Sequence, residues 1–160
     1  MKIRFNLLWL WLSGFLLVSN AYIGAMYVTV KIEINNAKIT VEMETEAEAR
    51  KNNWNMAIAI LDAGSHLLMF QRMDDVQIGS IDIAIGKAKT AVNFKRPTKA
   101  LDDLVSGGRN AFLAIEGVIP LQGGLPVMID GKLIGGVGVS GGTAPQDEQV
   151  SQAAVSVLQG

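Results

Sequence analysis

A lone histidine is the side chain best suited to chemistry in this sequence of 160 residues. His66 is the only histidine, and the chain has no cysteine. This composition excludes thiolate metal sites, disulfides, cysteine nucleophiles and multi-histidine metal sites. One ring nitrogen of His66 could ligate a metal or a haem iron. In the alternative interpretation, the ring bonds the turn formed by Asp62 and Ser65 and has only a structural role.

A cluster of basic residues is the second candidate for binding. It could pair with the carboxylates of a ligand, or it could be a solvated helix face. The formal net charge of the whole chain is only −1, so no basic excess drives binding to nucleic acid. The cluster comprises Lys87, Lys89, Lys95, Arg96 and Lys99.

The loop at Gly141 and Gly142 is the third candidate, because it joins a predicted strand to the start of a helix. Backbone N–H groups at such a place can hold an anionic group. Asp147 and Glu148 fall in the first turn of that helix, where they complement its dipole and repel a second anion. Capping of the helix is therefore the favoured interpretation of this loop.

The elements that must position these residues follow from the apolar periodicity. Asp130-Gly131 between two apolar runs indicates a tight hairpin, and Ser80 and Thr98 are expected to cap helices. Two hairpins with intervening helices predict one α+β domain with an antiparallel sheet. We expect helices over Asn35–Lys51, Ser80–Asn93, Thr98–Val105 and from Pro145 onward, an irregular segment over Asn110–Leu125, and hairpins of Trp54–Leu61 with His66–Met73 and of Val127–Ile129 with Lys132–Ser140.

The N-terminal stretch is typical of a secretory signal peptide. Lys2 and Arg4 precede an apolar run over Leu7–Val18, and small residues follow it up to Ala21. This run is shorter than the roughly 20 residues of a membrane span. The pattern predicts cleavage after residue 21 and a periplasmic or secreted protein. If translation instead starts at Met26, the protein is cytoplasmic.

Three stretches make the chain resemble the GlcG/HbpS haem-binding family. They read EAEARKNNWNMAIAILDAGSHLLMFQRMD, IGKAKTAVNFKRPTKAL and QGGLPVMIDGKLIGGVGVSGGTAPQDEQVSQAA. The resemblance covers nearly all of the domain expected over residues 28–160. It implies a profilin-like fold, homo-oligomers, haem as cofactor and, for exported members, haem-linked sensing. The resemblance also implies which residues bind the cofactor, and among them His66 is the implied metal ligand. These cofactor-binding residues are His66, Arg72, Lys87, Arg96, Thr98, Gly141 and Gly142.

Three functions are compatible with this sequence. The first is an exported accessory protein that holds haem, or a small carboxylate ligand, between the second hairpin and the helix from Ser80. In it, His66 or Thr98 lies near the metal, and Lys95 or Arg96 lies near the propionates. The second is a small-molecule enzyme that acts on a carboxylate or on haem, with His66 or Asp74 as its acid or base. The third is a structural accessory subunit without a ligand.

Overall fold

The structure is a computed structural model, and it describes residues 30–34, 37–41 and 44–159. The predicted signal peptide lies outside these residues. A short 3₁₀ helix, Asn110–Ala114, follows the third α-helix. In chain order the regular elements are β1 (Val30–Ile34), β2 (Ala37–Val41), α1 (Glu44–Lys51), β3 (Ala57–Asp62), β4 (Leu67–Arg72), α2 (Ser80–Phe94), α3 (Lys99–Ser106), β5 (Gly124–Ile129), β6 (Lys132–Ser140) and α4 (Ala144–Gln159).

A four-stranded antiparallel sheet in the order β4-β3-β6-β5 forms the centre of the fold. Both predicted hairpins are present, and the α+β prediction is confirmed. Asp130 and Gly131 turn the second hairpin with φ angles of 49° and 74°. Positive φ at both positions is the geometry of the type I′ turn that the sequence predicts.

Helix α2 packs directly on the glycine-bearing side of the sheet. Gly138 of β6 is paired with Ala59 of β3 and with Gly124 of β5. A Cβ atom on Gly138 would lie 2.1 Å from the carbonyl oxygen of Ala84 in α2. The predicted location of a ligand, between the second hairpin and this helix, is therefore wrong, because the helix backbone already fills that space.

The other side of the sheet carries the larger apolar side chains. Since strand side chains alternate between faces, Val137 and Val139 point away from α2. They belong to a buried core that includes Ile58 of β3 and Val150 and Ala154 of α4. Helix α4 packs against β5 and β6. The sheet is thus covered by α2 on one face and by α4 on the other.

The first predicted helix is partly wrong. Residues 37–41 form β2, which pairs with β1 through Ile32 opposite Ile39, and only Glu44–Lys51 is helical. The β-branched residues Ile39, Thr40 and Val41 favour a strand, whereas the sequence from Glu44 onward is rich in helix formers.

Two details of helix α2 and of the segment before β5 also differ from the prediction. Gly79, not Ser80, occupies the N-cap position, and the buried Ser80 hydroxyl has no hydrogen-bond partner among the described residues. Strand β5 begins at Gly124, three residues before the predicted start, because its first residues pair with Gly138 and Val137 of β6.

Within the described ranges, no helix combines the length and apolar character needed to cross a membrane.

Candidate functional site

The β3–β4 turn presents the imidazole of His66 to solvent. The residue lies just before β4, and its side chain is 81% exposed. Its Nδ1 is 3.2 Å from Oδ2 of Asp62, and its backbone N–H donates to Oδ1 of the same carboxylate at 2.9 Å. The structural role considered for His66, bonding of the turn, is therefore present. The arrangement also holds the ring in one orientation and leaves Nε2 without a partner among the described residues.

The Asp62 carboxylate is the electrostatic centre of this turn. Its partial burial opposes ionisation. The backbone N–H of His66, the imidazole and the N–H of Gly64 outweigh this effect, so the pKa of Asp62 lies below its usual value. An ionised Asp62 favours the tautomer that carries its proton on Nδ1. The lone pair of Nε2 is then free to bind a metal.

A hydrogen bond fastens this turn to the end of α2. The Ser65 hydroxyl donates to the side-chain oxygen of Asn93 at 2.8 Å. Ser65 has a φ of 65°, and Lys95, which ends the helix, has a φ of 51°. Arg96 follows Asn93 by three residues of sequence.

Two cations follow Asn93 and an apolar residue follows Ser65, each within three residues of sequence. Lys95 and Arg96 are exposed, and among the described residues neither forms an ion pair. The Nε atom of Arg96 donates to the carbonyl of Phe94 at 3.2 Å. Leu67, directly after the histidine, is 49% exposed. The arrangement combines a free imidazole nitrogen, uncompensated positive charge and an exposed apolar side chain.

Lys87 does not belong to the exposed basic cluster that the sequence suggested. It is buried, and its Nζ donates to Oδ2 of Asp147 at 2.7 Å and to the carbonyl of Val139 at 2.9 Å. Burial raises the pKa of Asp147 above its usual value, against the opposing effects of the Lys87 ammonium and of the Gly142 N–H. This pair joins α2 to α4.

Thr98 precedes α3 but does not cap it with its side chain. Its hydroxyl is buried and accepts the N–H of Gly124 at 2.8 Å, with the Gly124 carbonyl 3.3 Å away. Thr98 does occupy the predicted N-cap position, but the predicted side-chain cap is wrong, because the hydroxyl joins the loop to the start of β5 instead. Its predicted contact with a cofactor remains a prediction.

Arg72, Gly141 and Gly142 lie at the other end of the sheet. Five residue steps of β4 separate Leu67 from Arg72, which is about 17 Å along a strand. Arg72 is opposite Ala57, whose other neighbour is Ser140. The structure thus separates His66 from Arg72 and from the two glycines. Asp74, the alternative acid or base, follows Arg72 and is equally remote from His66.

The capping interpretation of the Gly141 loop agrees with its hydrogen bonds. The N–H of Gly142 donates to Oδ1 of Asp147 at 2.9 Å, and the N–H of Thr143 donates to the side chain of Gln146 at 2.9 Å. The carboxylate of Asp147 already takes the place that an anionic ligand would need. Cofactor binding by the two glycines remains a prediction.

The sequence does not predict two contacts at the end of α2. One is the contact of Asn93 with Ser65, since the sequence predicts Asn93 only as the last residue of its helix. The other is an aromatic contact in which Phe94 meets Phe112 edge to face, with ring centroids 6.2 Å apart. The guanidinium of Arg109 lies 5.5 Å from the centroid of Phe112. No sequence pattern joins these residues, because the segment over 110–125 was predicted to be irregular.

Among the described residues, no cluster of three or more histidine, aspartate or glutamate side chains is placed to hold a metal ion.

The chain is similar to one protein-family model and to a bacterial protein. The family model described as "Haem degrading protein HbpS-like" matches residues 32–156. Protein GlcG of Escherichia coli strain K12 is 47% identical over 95 residues, which are 59% of this chain and 71% of GlcG.

Solved structures agree with the fold. The Klebsiella pneumoniae protein ORFY superposes with a TM-score of 0.69 at 33% identity, over 72% of this chain and 83% of ORFY. A PduOC complex with haem superposes with a TM-score of 0.66 at 32% identity, over 72% of this chain and 86% of PduOC.

Proposed function

We propose that this chain, which belongs to the HbpS-like family, is a haem-binding accessory protein whose iron ligand is His66. The observation that supports this proposal is the exposure and hydrogen bonding of the His66 imidazole. It is exposed, its Nδ1 is held by Asp62, and its Nε2 faces solvent without a described partner. A histidine held through its other nitrogen by a carboxylate is well prepared to ligate a metal. The complex of the similar PduOC with haem supports the choice of ligand.

The surroundings of His66 suit the remaining parts of haem. Lys95 and Arg96 are available to pair with the propionates, and Leu67 offers apolar contact to the porphyrin. The site is open, and exposed ion pairs are worth only about 0–1 kcal/mol each. Affinity therefore depends on the iron–imidazole bond together with several weak contacts.

A hemin titration of the purified full-length chain tests this proposal. We expect a Soret band that saturates near one hemin per chain and differs from that of free hemin. The control is the same titration of a His66→Ala variant, which keeps the rest of the surface. Absorbance that rises linearly with hemin, without saturation, would contradict the proposal.

Export is a separate part of the proposed function. Lys2, Arg4 and the apolar run up to Val18 support a cleaved signal peptide and a periplasmic or secreted role in haem binding or haem sensing. Mass spectrometry of the protein made in its own host is expected to find Tyr22 as the first residue. Protein that begins at Met26 would contradict export.

We also propose that the protein is a homo-oligomer. Several large apolar side chains are exposed in the described part of the chain, among them Ile78 at 78% and Leu113 at 61%. The resemblance to a family of homo-oligomers supports this proposal, and these exposed residues are candidates for the contact between subunits. Light scattering at micromolar concentration is expected to give a mass well above one subunit, and a monomer would contradict this part.

A further inference from the structure

The end of α2 and the His66 turn meet through one side-chain pair. The Ser65 hydroxyl donates to the Asn93 side chain at 2.8 Å, across 28 residues of sequence. Residues 62–66 form a tight turn closed by backbone bonds, in which the N–H of Ser65 donates to the Asp62 carbonyl at 3.1 Å. The turn is thus a compact unit, and Ser65 is its described side-chain contact with α2.

Asn93 is close in sequence to the cations assigned above to the propionates. Lys95 and Arg96 follow it by two and three residues, and three residues span at most about 10 Å. The backbone here is fixed, since the N–H of Lys95 donates to the carbonyl of Val92 and that of Arg96 to the carbonyl of Ala91. A shift of Asn93 relative to Ser65 would therefore shift the cations relative to His66.

The backbone of Ser65 is strained in the conformation that allows its contact with Asn93. Its φ of 65° lies in the left-handed region, which is unfavourable for a residue other than glycine, asparagine or aspartate. Glycine would adopt such a φ without strain. Serine adds strain but also supplies the hydroxyl that reaches Asn93.

We propose that Ser65 and Asn93 are positioning residues, which fix the distance between the iron ligand His66 and the propionate-binding cations Lys95 and Arg96. This inference rests on the proposed function. It adds that the specificity of the site for the carboxylates of haem depends on a hydrogen bond that touches neither iron nor propionate.

The test compares hemin with hemin dimethyl ester, in which both propionates are esterified and uncharged. Wild-type protein is expected to bind hemin more tightly than the ester. Ser65→Ala and Asn93→Ala are each expected to lower this preference by up to roughly fivefold, the factor that corresponds to the upper end for an exposed ion pair. The Soret position is expected to stay as in wild type, because His66 remains available to the iron.

A double-mutant cycle distinguishes a positioning role of the Ser65–Asn93 pair from independent effects of the two residues on the site. If the two residues act as a pair, the Ser65→Ala/Asn93→Ala variant loses no more of the preference than either single variant. Asn55→Ala is the matched control, since Asn55 is also exposed but adjoins Gly141 at the far end of the sheet. It is expected to keep the wild-type preference.

The outcomes distinguish this inference from the proposed function. If the wild type binds hemin and the single variants keep its preference over the ester, or lose affinity equally for both compounds, the positioning role is wrong and haem binding stands. If the wild type shows no saturable Soret band with hemin, both haem binding and the positioning role are wrong.

Discussion

Lys87 and Asp147 form a buried ion pair, with Nζ and Oδ2 2.7 Å apart, although their helices cover opposite faces of the sheet. The pair passes beside Gly123. A Cβ atom there would lie 2.7 Å from Cβ of Asp147 and 3.0 Å from Nζ of Lys87. The missing side chain at Gly123 therefore leaves the space through which α2 and α4 are joined.

Removal of one member of this pair is expected to destabilise the fold strongly. Lys87→Met leaves the Asp147 carboxylate buried without its cation, which costs about 3–5 kcal/mol. Urea denaturation measures the loss, and Lys89→Met, at an exposed position of the same helix, is the control with little expected effect. Equal midpoints for the two variants would contradict the account of Lys87.

The close contact of α2 with the sheet gives a second prediction. Gly138→Ala would place a Cβ atom against the carbonyl of Ala84, and such overpacking costs about 1–3 kcal/mol. Gly79→Ala is the matched control, because a Cβ there meets no atom within 4 Å and the φ of −59° suits alanine. A Gly138→Ala protein as stable as Gly79→Ala would show that the helix does not lie directly on this strand.

Part of the fold followed from local sequence and part did not. The Asp130-Gly131 hairpin was predicted because two adjacent residues determine its turn. Residues 37–41 were predicted to be helical because helix formers follow the β-branched run, while the pairing of Ile39 with Ile32 that makes it a strand is a tertiary outcome.

The site shows the same division between local and distant information. The contact of His66 with Asp62 was considered from the sequence, since both residues belong to one turn. The burial of Lys87 was not, because its partner is 60 residues away and is reached only beside Gly123. Asn93 was missed for a similar reason, since its contact with Ser65 depends on where α2 ends against the β3–β4 turn.

Acid is expected to weaken the His66 turn through Asp62. The pKa of this carboxyl is lower in the folded protein than its usual value of 3.8. Its contribution to the free energy of unfolding is therefore complete above about pH 4 and is lost as the pH falls through the folded pKa. Asp62→Asn is expected to remove that part of the acid dependence.

Urea denaturation of wild type and Asp62→Asn between pH 2 and pH 7 measures this effect. The raised pKa of Asp147 contributes with the opposite sign, but it is common to both proteins and cancels in the difference. A difference in stability between the two proteins that does not change with pH would contradict an ionised Asp62 in the turn.

A Thr98 variant tests whether Thr98, in addition to His66, contributes to hemin binding. Thr98→Val keeps the side-chain volume but leaves the buried N–H of Gly124 without its acceptor, which costs about 1–3 kcal/mol. We expect lower thermal stability with unchanged hemin affinity, both measured on the same preparation. A loss of hemin affinity in a variant that still melts cooperatively near the wild-type temperature would assign Thr98 to the site instead.

Chemical rescue of a His66→Ala variant tests the central claim, iron ligation by His66, most directly. Absorbance titration with hemin is expected to show weaker binding and a Soret maximum displaced from that of wild type, because the axial imidazole is lost. Added free imidazole is expected to restore the wild-type maximum. A His66→Ala protein with the same hemin affinity and the same Soret maximum as wild type, without added imidazole, would contradict the account.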